Sequence, residues 1–193
     1  MNWPKPGNVP FQSKGDGNLT AIIDWAGLYT EESYATGFKA AADLVVDGLP
    51  NGTGGDYPCY PDQYFFPVAY LYRHCIELKL KALIRAGESS GVVSVPDKRL
   101  YGSHDLDGLW KKAREVIEVR WSGGPPEELN SAERVILEFH QLDRCGQEFR
   151  YPHGKDGKKL LSNAPPAVNL INLKEVVDGV YHFLSGCNSF DRE

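Results

Sequence analysis

The stretch YLYRHCIELKLKALIRAG, residues 70 to 87, places the strongest condition on how this chain can fold. Most of its positions are Leu, Ile, Ala or aromatic, yet Arg73, His74, Glu77 and Lys81 sit among them. On a helix these four fall within an arc of about 100° that also takes in Tyr70. Ile76, Leu80 and Leu83 flank the arc on one side, Leu71, Leu78 and Ala82 on the other, and Lys79 and Tyr72 mark the opposite edge. The arc therefore either faces water as a ladder of ion pairs or lies in a polar seam between helices. In a ladder, Arg73–Glu77 and Glu77–Lys81 contribute only ~0.3–0.5 kcal/mol each. In a seam the charges are costly unless they pair with one another, and they are kept where they order a site or fix a packing. Two wide apolar flanks invite a neighbouring helix on each side, so the expectation is a partly buried seam, shared with Asp143 and Arg150.

A chain of 193 residues is long enough to bury one core, and its 41% hydrophobic and 24% charged content is that of a globular protein. The formal net charge of -5 opposes nonspecific adsorption to nucleic acid or anionic lipid, so any nucleic-acid role must rest on a local basic site. The opening residues Met1-Asn2-Trp3-Pro4-Lys5-Pro6-Gly7 have no apolar core of the secretory kind, and no run approaches membrane-spanning length. A cytoplasmic protein without a membrane partner is expected. Cys59, Cys75, Cys145 and Cys187 are too scattered for a zinc or redox motif, and neither a metal nor another cofactor is expected.

Pro and Gly punctuate residues 1–27, which read as an irregular arm ahead of a single domain over residues 28–190. A first helix fits Leu28 to Val46, with Tyr29, Tyr34, Phe38, Ala41, Ala42 and Val45 recurring at helical intervals. The connector NGTGGDYPCYP has the glycines of a phosphate loop without the Lys-Ser or Lys-Thr that would hold phosphate and metal. A second helix follows from about Asp62 to Ala86, with Pro67 near enough to its start to be tolerated. A third starts at SHDLDGLW, where Ser103 or Asp105 can cap it, and buries Leu106, Leu109, Trp110, Ala113 and Ile117. A fourth covers about Glu127 to Glu148 with Ala132, Val135, Ile136, Phe139 and Leu142 inward, and a fifth about Asn169 to Leu184. Asp156-Gly157 predicts a small hairpin or ordered loop between the last two. The fold class is all-α: an antiparallel up-and-down bundle of about five helices.

RHCIELKLKALI, then HDLDGLW, then FRYP after a further helix resembles the HEPN superfamily, the helical domains of higher eukaryotes and prokaryotes that bind nucleotides. The similarity spans about Tyr64 to Pro152. It implies an HEPN-like bundle, a homodimer, and RNA or a nucleotide as ligand. In many members it implies metal-independent RNA cleavage in a toxin or phage-defence setting, with an antitoxin or effector as a possible partner protein. Other members are noncatalytic nucleotide-binding or regulatory modules. Cleaving members carry an Arg followed at a short interval by a His near the end of a late helix. Here Arg150 and His153 stand closer together than that, while Arg99 and His104 match the interval but precede the third helix.

Metal-independent cleavage needs a base for the 2′-hydroxyl, an acid for the leaving oxygen and a cation for the phosphorane charge. Arg150 and His153 are the catalytic candidates, and Arg73, Tyr151, Lys155, Lys158 and Lys159 the candidates for substrate contact, in the most basic short stretch of the chain. His74, Glu77, Lys81, His104, Asp105 and Asp143 are the expected supporting polar network. Because the cap of the third helix must pack near the middle of the second, Glu77, Lys81 and His104 should share one cluster.

Overall fold

The computed structural model describes residues 17–21, 29–49, 61–95, 97–122 and 126–189, together with Trp3, Pro6, Pro10 and Phe11. Five helices carry the fold: α1 (Glu31–Asp47), α2 (Pro61–Ser89), α3 (Leu106–Arg120), α4 (Pro126–Leu142) and α5 (Leu170–Ser189). Most of the arm expected over residues 1–27, the 51–60 part of the glycine connector and Cys59 lie outside the described residues. Among the described residues the only β pairing is one isolated bridge, so the all-α class holds.

Local chemistry starts the helices where it can accept their free N–H groups. Thr30 and Ser33 form a reciprocal capping box on α1, and Glu31 and Glu32 follow at the positive end of its dipole. Asp105 caps α3 by accepting from Asp107 N at 3.2 Å, and Asn169 caps α5 by accepting from Ile171 N (2.9 Å) and Asn172 N (3.0 Å). Pro67 lies in the second turn of α2, exposed, where its ring and missing donor are tolerated.

The central element is α2, which packs against α1, α3 and α5, while α4 packs against α3 and α5. Val68, Tyr72, Ile76, Leu80, Leu83 and Ile84 of α2 meet Leu106, Leu109, Trp110 and Ala113 of α3 and Ile136 of α4 in one core cluster. The expected stripe of α3 is wholly buried, and in α4 Val135 and Leu142 are half-buried beside the buried Ala132, Ile136 and Phe139. The inward face of α1 is rotated from the expected one. Ala35, Ala42 and Val46 are buried, whereas Tyr34 and Ala41 are exposed.

A strict up-and-down order fails between α2 and α3. His104, just before α3, touches Glu77 in the middle of α2; Val116 lies against Gly87; and Arg120 at the end of α3 donates to Ser90 just past α2. The two helices thus run in the same direction, because residues 90–105 return along α2 before α3 starts. The close approach depends on Gly87, where an added Cβ would fall 2.4 and 2.8 Å from the two methyls of Val116. Gly87→Ala is therefore expected to lower stability by about 1–3 kcal/mol, although alanine favours a helix. Val116→Ala in the same chain should recover part of that loss, and urea unfolding of the two singles and the double measures the coupling.

α4 ends at Leu142, six residues short of the expected Glu148. Asp143 turns inward, its Oδ1 accepts from the backbone of Gln147 (2.8 Å) and Glu148 (3.2 Å), and Gly146 takes a left-handed φ of 71°. This tight turn leads into the hairpin anticipated at Asp156-Gly157. His153 and Lys159 form the antiparallel bridge, Gly154 N donates to Lys158 O (2.9 Å), and Gly157 has φ 76°.

Candidate functional site

The polar arc of α2 lies in a buried seam. Arg73 and Glu77 are each 1% exposed and Asp143 is fully buried, with Lys81 also inside. Glu77 accepts from Arg73 Nη1 at 2.9 Å and from Lys81 Nζ at 2.8 Å. Arg73 also donates through Nη2 to the carbonyls of His104 (2.6 Å) and Asp143 (3.1 Å), and its Nε lies 3.1 Å from Asp143 Oδ2. Two cations thus face two carboxylates, the condition under which buried charge is tolerable. Burial alone would push the Glu77 carboxyl up, but the hydrogen bond and charge of Lys81, with His104 and Arg73, outweigh it and hold it below the usual carboxylate range.

Glu77 reaches the surface through His104. The Nδ1 of His104 is 3.0 and 3.1 Å from the two Glu77 oxygens, while the His104 side chain is 52% exposed. The cluster expected of Glu77, Lys81 and His104 is therefore assembled. His74 stands 4.0 Å from the same carboxylate, stacked on Tyr70 and edge-on to Phe38, and burial lowers its pKa. Asp105 belongs to the cap of α3 and to a 3.3 Å approach from His140 rather than to the Glu77 contacts.

The seam also anchors the turn that carries the basic candidates. Gly146 packs so tightly that an added Cβ would lie 3.3 Å from Arg73 Nη1 and 3.4 Å from His104 Cβ. Arg150 donates its Nε to the carbonyl of that same Gly146 at 2.7 Å, and its guanidinium lies over Tyr70 and Tyr151. Arg150 and Asp143 thus meet the seam through Gly146 and Arg73 respectively, not through a direct pair with one another.

Beyond Arg150 opens a groove of about 640 Å³ between the start of α2 and residues 148–168. Arg150, Tyr151 and Lys159 line it with Phe65, Phe66 and Glu148. Such a volume, mostly apolar with a few charged groups on its wall, suits a small ligand or one base of a larger one. Burial and then the neighbouring Asp143 carboxylate raise the pKa of Glu148. His153, Lys155 and Lys158 lie outside the lining, exposed on the hairpin, so Arg150 and His153 do not face a common cavity. Arg73 cannot contact a substrate as expected, because it is buried and its donors are taken by Glu77, Asp143 and His104.

The sequence reasoning missed Lys79, left as an edge of the helix that might face solvent. It is 2% exposed, bound to Glu32 and to Ser185 Oγ (2.7 Å), and lies over the Tyr181 ring. Nearby, Lys39 pairs with Asp43 and Asp178, and Tyr72 donates to Asp43 at 2.8 Å. A second polar seam thus joins α1, α2 and α5. The signal was present in Glu32 and Asp43 of the first helix, but their partners come from another element.

Among the described residues no three His, Cys, Asp or Glu side chains converge as a metal site requires, and no helix is long and apolar enough to cross a membrane. Comparison with family models, curated proteins and solved structures gives no match.

Proposed function

We propose that the chain is an HEPN-like bundle that binds RNA or a nucleotide through the groove beside Arg150. The observation that carries this reading is the joint placement of Arg150, Lys159 and Tyr151 on one wall with Phe65 and Phe66 behind it. Guanidinium and ammonium groups recognise phosphate, and aromatic faces stack on unpaired bases. A net charge of -5 leaves binding to depend on this local patch. The proposal includes the homodimer and the defence setting that the motif resemblance implies. Binding is preferred to cleavage by Arg150 and His153 because His153 stands outside the groove.

Fluorescence anisotropy with a labelled single-stranded RNA, titrated at several salt concentrations, tests the proposal. Arg150→Ala with Lys159→Ala is expected to weaken binding about tenfold and to reduce the salt slope by about 1.4, the value for two lost phosphate contacts on a single strand. RNA that fails to bind the wild type at low salt would overturn it.

A further inference from the structure

We infer that His104, held by Glu77, is the group that moves a proton at a phosphodiester bound beside Arg150, so that the protein cleaves RNA as well as binding it. This rests on the RNA-binding reading above and assigns the chemistry to a residue that was expected only to support the fold.

An ionised carboxylate only accepts hydrogen bonds, and Arg73 and Lys81 keep Glu77 ionised. The imidazole nitrogen 3.0 and 3.1 Å from its oxygens must therefore carry the hydrogen. That fixes the tautomer and leaves Nε2 as the acceptor on a ring that is 52% exposed. A histidine with one nitrogen fixed by a buried carboxylate and the other open is the arrangement by which general bases are oriented.

The cation is close by. Gly146 touches both sides: its Cβ direction meets His104 Cβ at 3.4 Å, and its carbonyl receives Arg150 Nε at 2.7 Å. Among the described residues the terminal nitrogens of Arg150 carry no hydrogen bond, so they are available to two phosphate oxygens. Tyr70 and Tyr151, under the guanidinium, offer faces for the flanking bases.

In the step assigned to this pair, His104 Nε2 takes the proton of the 2′-hydroxyl. The 2′-oxygen bonds to phosphorus as the bond from phosphorus to the 5′-oxygen breaks. The 5′-oxygen leaves with that electron pair and takes a proton from water, and the hydroxide so formed recovers the proton held by His104. The products are a 2′,3′-cyclic phosphate and a 5′-hydroxyl, while Arg150 stabilises the charge gathering on the phosphate oxygens.

The test is single-turnover cleavage of a labelled single-stranded RNA in excess EDTA, with affinity measured in parallel by anisotropy. Expected are cleavage by the wild type with a cyclic-phosphate end, a rate about 100-fold or more lower in His104→Ala at unchanged affinity, and little change in His153→Ala. A wild type that binds RNA without cleaving it overturns the inference and leaves the binding reading standing. So does a His104→Ala protein that cleaves at the wild-type rate, or one whose loss of rate is matched by a loss of affinity. A wild type that does not bind RNA removes both.

Discussion

Glu77→Ala is expected to lower the unfolding free energy by about 3–5 kcal/mol, the cost of removing one partner from a buried ion pair. The carboxylate answers two cations that have almost no access to water, since Arg73 is 1% and Lys81 7% exposed. An exposed ladder would lose only ~0.3–0.5 kcal/mol per pair, so urea unfolding separates the two arrangements by a wide margin. pH provides a second arm. The folded pKa of Glu77 is depressed from its ordinary 4.5, so its stabilisation is fully present above that value and is lost as pH falls through the folded pKa. The gap between wild type and Glu77→Ala should therefore narrow below about pH 4.5. Glu148, whose pKa is raised, acts in the opposite sense but is present in both proteins.

Asp143→Ala should cost as much, about 3–5 kcal/mol, and should also weaken RNA binding. Its two oxygens have different tasks. Oδ2 faces Arg73 Nε at 3.1 Å, and Oδ1 holds the amides of Gln147 and Glu148. Alanine leaves a buried guanidinium short of a partner and frees the turn that aims Arg150 and Tyr151. Asp143→Asn keeps an acceptor for the two amides without the charge, so it should lose stability through Arg73 while retaining more of the affinity. Unfolding followed by the fluorescence of the buried Trp110, with anisotropy alongside, measures both effects.

Much of the helix pattern can be read along the chain, because periodicity and caps are local. Leu106, Leu109, Trp110, Ala113 and Ile117 repeat at helical spacing and are all buried behind the Asp105 cap. The end of α4 is less legible. Nothing between Leu142 and Glu148 forbids a helix except Gly146, and the turn is fixed by Arg73, seventy residues away in sequence from Asp143. The direction of α3 is hidden for the same reason, since it depends on how residues 90–105 pack back along α2. In the candidate site, the spacing of Arg73, Glu77 and Lys81 indicated a seam, whereas the choice between His104 and His153 turns on contacts that only the folded chain creates. Arg73 was assigned to substrate because a single helix does not disclose how completely its neighbours will use a guanidinium.

Amide hydrogen exchange over residues 143–151, compared between wild type and Asp143→Ala, tests most directly whether the seam holds the turn that carries Arg150. The amides of Gln147 and Glu148 donate to Asp143, and those of Arg150 and Tyr151 to the carbonyl of Gln147. Exchange at these four positions should be at least tenfold faster in the variant at a denaturant-free pH where both proteins remain folded, with the central amides of α3 changing only as far as the loss of global stability requires. Equal protection of the four amides in both proteins would contradict the coupling of the seam to the site.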